Sequence, residues 1–229
     1  MLRNIEQARP INGNASAVTD RRAMWDRCWK EHVHLKPPYY NSDVIREYGL
    51  YRYVDSDYEY RCFTVLRDNL LARYCQNMTV WEFGCGNGHN ILNLPQAKGF
   101  DWSESAVSRL RLHGMDVGRF DMFNPWPMQI PGAALTVHSM EQLGKNFRPM
   151  LDFLIAAKPK VVIHIEPILE LYDPDNLFDY LAIQYHRKRG YLEGYLTALT
   201  DAKVELLEVK RSEFGSIMHE AYSVIVWKP

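Results

Sequence analysis

Val80-Trp81-Glu82-Phe83-Gly84-Cys85-Gly86-Asn87-Gly88-His89 is a short, largely apolar run that ends in three glycines at every second position. Glycine is needed where a chain turns sharply out of a strand and where a ligand approaches the backbone more closely than a Cβ permits. A dinucleotide fingerprint sets its third glycine three residues after the second, and His89 stands there instead. The loop is therefore a poor NAD site. From this run onward the sequence alternates apolar runs with amphipathic ones, predicting strands near 79–83, 98–101, 116–120, 133–138, 160–166, 203–210 and 221–227. Between them, helices are predicted near 90–94, 103–113, 146–157 and 177–199, the last broken at Gly190. This rhythm predicts an α/β fold with a Rossmann-like, doubly wound, mostly parallel seven-stranded sheet. Only residues 212–220 join the closing two strands, too few for a crossover helix, so these should pair as an antiparallel hairpin.

Upstream, residues 1–22 lack apolar periodicity and read as a mobile tail. Residues 23–78 read as a helical cap, with Trp25 and Trp29 one turn apart and Pro37-Pro38 as a stop. A second cap helix is predicted near 58–74, and residues 79–229 form the main domain. Tyr39 and Tyr40, beside the proline pair, are candidate lid residues that stack on a flat or sugar-like acceptor.

The chain has 229 residues, 27 Lys plus Arg against 28 Asp plus Glu, and a formal net charge of −1, so it carries no global attraction for nucleic acid or an anionic membrane. Its four cysteines form no Cys-x-x-Cys pair, and no apolar stretch approaches a membrane span. A cytoplasmic protein with no membrane insertion and no nucleic-acid partner is expected.

Asp101 and Asp121 fall at the ends of the second and third predicted strands, and with Glu82 they would line one crevice at the carboxyl edge of the sheet. Carboxylates there suit a cationic, ribose-bearing cofactor. Residues 82–88 resemble the first motif of class I S-adenosylmethionine-dependent methyltransferases, and residues 99–107, Gly-Phe-Asp-Trp-Ser-Glu-Ser-Ala-Val, resemble their second-strand motif. The resemblance implies S-adenosylmethionine as cofactor and S-adenosylhomocysteine as product. It places Gly84, Gly86 and Gly88 against the methionine part, Asp101 against the ribose hydroxyls, Asp121 against the adenine amine and Met122 against the adenine ring, with Cys85, Asn87 and Trp102 also in the cofactor site. The backbone near His138 would meet the α-amino group, and Glu82 would brace the glycine loop.

Methyl transfer is an in-line displacement, so the protein must align the acceptor and, for a hydroxyl, help remove its proton. Glu166, ending the fifth predicted strand, is a candidate base or a loop-bracing acid. Glu141, after the fourth, is a second candidate base. Tyr185-His186-Arg187-Lys188-Arg189 is a basic cluster in which His186 could act as base, with Tyr185 and Arg189 holding the acceptor, or it is a solvated helix end. The acid-rich arrangement of metal-dependent catechol methylation is missing, and no catalytic metal is expected. O-methylation of a small molecule, sugar or glycan end is the leading expectation. N-methylation of an amine and cofactor binding without catalysis are the alternatives.

Overall fold

A computed structural model of the chain describes residues 15–31, 43–216 and 222–229. In chain order the elements are α1 (Ala15–Glu31), β1 (Val44–Glu47), β2 (Leu50–Tyr53), α2 (Tyr58–Tyr74), β3 (Val80–Phe83), β4 (Ala97–Asp101), α3 (Glu104–Leu112) and β5 (Val117–Arg119). There follow β6 (Ala133–Val137), α4 (Arg148–Ala157), β7 (Val161–Glu166), α5 (Leu177–Arg189), α6 (Tyr195–Asp201), β8 (Glu205–Arg211), β9 (Phe214–Ser216) and β10 (Ser223–Lys228). Among the described residues no helix is long and apolar enough to cross a membrane.

The main sheet has seven strands in the order β5-β4-β3-β6-β7-β10-β8. Its first five strands are parallel, and β10 runs antiparallel to both β7 and β8. The order reverses at β3, so β3 and β6 flank the switch point where ligands of open α/β sheets bind. Side chains of the central strands alternate between two cores. Val161, Ile163 and Ile165 of β7 join Val224 and Val226 of β10 on the α2 side, while Val162, Ile225 and Trp227 face α4 and α6. That near-continuous apolar run is what a strand covered on both faces requires.

Three expectations need correction. Residues 90–94 form hydrogen-bonded turns rather than a helix, with Ile91 and Leu92 amides donating to the Gly88 carbonyl. Pro95 turns the residue before it away from helical geometry, leaving too few residues to propagate one. α1 starts at Ala15, inside the stretch read as a tail. The cap is not all helical, because β1 pairs with β2 on one side and with β9 on the other, tying 45–47 to 214–216. A buried charge cluster reinforces this join. Asp179 of α5 accepts from Arg46 of β1 at 2.6 Å and from Arg211 of β8. Burial pushes the Asp179 carboxyl up, but Arg211 and Arg46 outweigh it and hold the group at about 2.

Candidate active site

A cavity opens at the carboxyl ends of β3, β4, β5 and β6, roofed by α1 and the start of α2. β3 delivers the glycine loop. Gly84 (φ +78) and Gly86 (φ +52) line the cavity in the left-handed region, where a side chain would strain the backbone. A Cβ on Gly84 would stand 2.3 Å from the Ser139 Cβ, and one on Gly86 would stand 2.5 Å from the Trp29 ring. Cys85 lines the cavity as well. Asn87 and Gly88 do not. The Asn87 side chain binds the His89 ring nitrogen at 2.7 Å, and a Cβ on Gly88 would meet Leu110 and Met115, so Gly88 serves the packing of α3.

Asp101, at the end of β4, accepts from the Gly86 amide through Oδ2 and from the Ser103 amide through Oδ1, each at 2.8 Å. Burial raises its pKa while these amides oppose the rise. The carboxylate thus locks the glycine loop to the next βα turn, where Ser103 caps α3 by accepting from the Ala106 amide. Trp102, Asp121 and Met122 line the same wall. Arg22 of α1 stacks its guanidinium 4.0 Å over Trp102 and pairs with Asp121 at 2.6 Å. Asp26 of α1 accepts from the Ser103 hydroxyl at 2.6 Å. Trp25 and Trp29, one helical turn apart, stack on each other and line the cavity.

The segment that follows β6 supplies His138, Ser139, Glu141 and Gln142. His138 adopts φ +49, uncommon for a residue with a side chain. Its Nδ1 lies 3.5 Å from Glu141 Oε2. Burial lowers the His138 pKa to about 4 and that of His89 to about 3, so both rings are neutral near pH 7.

Glu166 is not positioned as a base. Its Oε1 accepts from the Ser139 and Met140 amides and its Oε2 from the Glu141 amide, and it does not line the cavity. Burial pushes it up to about 7, with His138 and the amides acting against the rise. It braces the loop that carries Glu141. Beneath it, His164 is a core residue held between Thr136 and Tyr195. His186 is buried in α5 against Tyr172, Tyr185 and Tyr191 and does not reach the cavity. Neither Tyr185 nor Arg189 lines the cavity. Arg189 bonds the Tyr191 hydroxyl at 3.3 Å, and Tyr191 does line it. Tyr39 and Tyr40 lie outside the described residues.

Glu82 is fully buried behind the loop and binds Asn90 Nδ2 through Oε1 at 2.6 Å. Burial raises its pKa to about 8. Asn90 itself lines the cavity, as do Glu59 of α2 and Tyr222 before β10. These three, with Arg22 and Tyr191, were not singled out from sequence, because segments far apart in the chain deliver them to one place.

No protein-family model matches the chain, and no curated protein matches it in sequence. Solved structures do match. A geranyl diphosphate C-methyltransferase from Streptomyces coelicolor is 11% identical with a TM-score of 0.55, over 90% of this chain and 97% of that one. The N-methyltransferase NodS from Bradyrhizobium japonicum is 13% identical with a TM-score of 0.55, over 73% and 86%. An O-methyltransferase from a Brevibacillus brevis multienzyme is 10% identical with a TM-score of 0.54, over 71% of each chain. All three were solved with S-adenosyl-L-homocysteine. The fold of this chain is that of the class I S-adenosylmethionine-dependent methyltransferases.

Proposed function

We propose that the chain is an S-adenosylmethionine-dependent methyltransferase acting on a small molecule. The observation that carries this reading is the Asp101 carboxylate, fixed by the Gly86 and Ser103 amides in the wall of a glycine-lined cavity. The residues present suit the cofactor. Gly84 and Gly86 keep the loop free of side chains, Asp101 has acceptor capacity for a ribose diol, and Trp102, Asp121 and Met122 offer a ring, an acceptor and a soft apolar surface for adenine. When bound, S-adenosylmethionine supplies an electrophilic methyl group on a sulfonium.

The chain's own residues align the acceptor, exclude water and take up a proton. Trp25 and Trp29 on α1 close the cavity from above. A hydroxyl acceptor must lose a proton, whereas an unprotonated amine needs little beyond positioning. Glu141 and neutral His138 are the pair that supports proton removal, with Glu166 fixing the backbone beneath them. The basic cluster of α5 gives no support to an anionic acceptor group, since Arg187 pairs with Glu193 and Arg189 bonds Tyr191.

Calorimetric titration with S-adenosylmethionine, S-adenosylhomocysteine and NAD tests the reading. Micromolar binding of both adenosyl ligands, lost in Asp101→Ala and absent for NAD, is expected. Failure of both adenosyl ligands to bind removes the reading.

A further inference from the structure

We infer that α1 is a strap that lifts to admit and release the cofactor, and that Asp26 is the latch that holds it down. This rests on the methyl-transfer reading and adds how its cofactor is exchanged. α1 lies directly on residues that the reading gives to the cofactor. The Arg22 guanidinium is in contact with the Trp102 ring, 4.0 Å from its centre, and its Nη2 donates to Asp121 Oδ2 at 2.6 Å. The other Asp121 oxygen accepts from the Phe123 amide at 3.0 Å. Two turns further along α1, Trp29 packs on the glycine loop so closely that a Cβ on Gly86 would stand 2.5 Å from its ring. Between them, Trp25 Nε1 donates to Gln142 Oε1 at 3.4 Å. An adenosyl ligand that reaches Asp121, Trp102 and the Gly86 face must first part them from Arg22 and Trp29, and one helix carries both.

Polar ties rather than a core hold α1 to the domain. Among its described side chains Trp29 is the one that is buried, and among the described residues no part of α1 joins the apolar clusters around the main sheet. A segment with few buried apolar contacts belongs to the low-stability end of a fold, where local opening costs little. The ties lie outside the cavity. Asp26 accepts from the Ser103 hydroxyl at 2.6 Å and from the Ser105 amide at 3.2 Å, at the first turn of α3, and it does not line the cavity. The Ser103 hydroxyl holds the Asp26 carboxyl below its ordinary range against the effect of burial, with the Ser105 amide in support. A charged carboxylate is at home there, because the helix dipole is positive at that end. Near the other end of α1, Arg109 of α3 donates to the Lys30 carbonyl at 3.2 Å. The groups that fasten the strap are thus separate from those that meet the ligand.

This separation gives the latch a kinetic signature. A strap seated over both the free and the loaded site slows entry and exit by the same factor, the fraction of time it is open, and leaves the affinity nearly unchanged. Arg22 acts differently, since its hold on Asp121 is given up to the ligand and so opposes binding itself. Releasing the latch should therefore raise both rates together.

The test mixes the full chain with S-adenosylhomocysteine in a stopped-flow instrument and follows the fluorescence of Trp25, Trp29 and Trp102, which line the cavity. Asp26→Ala removes two hydrogen bonds to a charged group and should raise the association and dissociation rates each by about tenfold or more, with the dissociation constant changed less than about threefold. Arg109→Ala loosens the same helix from a second point and should raise both rates by about two- to fivefold. Urea unfolding shows that each variant is folded. Unchanged rates in the folded variants overturn the strap. So does a loss of affinity carried by the dissociation rate alone, which would make α1 a fixed wall. Absence of S-adenosylhomocysteine binding by the unaltered chain is a different result, and it overturns the methyl-transfer reading instead.

Discussion

Replacing Gly84 with alanine should separate two costs that the glycine loop avoids. The backbone at Gly84 is left-handed, at φ +78, and an alanine there costs about 1–2 kcal/mol. The added Cβ would also lie 2.3 Å from the Ser139 Cβ and 2.9 Å from its Oγ. Ser139 cannot yield freely, because its hydroxyl donates to the Phe83 carbonyl and its amide to Glu166. Overpacking of this kind costs about 1–3 kcal/mol. Gly84→Ala should therefore destabilise the protein by about 2–5 kcal/mol in total. Ser139→Gly removes both offending atoms while forfeiting one hydrogen bond worth about 0.5–1.5 kcal/mol. In the double variant only the backbone strain and the lost hydrogen bond remain. Its destabilisation should thus fall short of the sum of the singles by about 1–3 kcal/mol. Urea unfolding of all four proteins at one pH, with equal slopes, measures this coupling. Additivity within about 0.5 kcal/mol would show that the loop and Ser139 are not in the contact described.

Three further outcomes are expected. Glu82→Gln should alter the pH dependence of stability. With its folded pKa raised to about 8 by burial, Glu82 holds its proton in the folded state while the unfolded chain releases it, so its contribution falls as pH rises from about 4.3 to 8. The variant's stability relative to the parent should grow across that window in urea titrations, and a constant difference would be contrary. Asp179→Ala leaves Arg46 and Arg211 buried without their carboxylate and should cost about 3–5 kcal/mol in thermal or urea unfolding. With the Asp179 pKa held at about 2, that contribution is complete above about pH 4 and is lost as pH falls through 2. Arg22→Ala frees Asp121 and the Trp102 face, and should tighten S-adenosylhomocysteine binding about two- to fivefold by calorimetry. Weaker binding would instead make Arg22 part of the adenine site.

The seven strands of the main sheet were readable because each carries its own apolar rhythm, as Val161 to Glu166 does, and the glycine loop was readable because its conformational demand is local. The errors have a common physical origin. β1 and β2 are four residues each, too short for periodicity, and they exist because β9 covers one edge. Glu166 sits at a strand end, as expected, yet three backbone amides claim its oxygens and it does not line the cavity. His186 and Arg189 share a helix with Asp179, whose burial against Arg46 and Arg211 fixes which way that helix turns. Direction of this kind comes from partners far along the chain. Trp25 and Trp29 show the same limit, since one helical stripe serves a core or a cavity roof equally well in sequence.

The pairing of 45–47 with 214–216 also bears on synthesis. A ribosome releases the roof of the cavity early, but the strand that closes the roof's small sheet emerges only after nearly all of the main domain. Until then β1 has an open edge, with Leu50 and Tyr53 exposed on its hairpin partner β2. Residues 214–216 are followed closely by β10, which fills the place between β7 and β8, so a nascent chain halted before residue 214 should present both a protease-sensitive cap and an incomplete main sheet, and the two should become protected together once the last strands emerge.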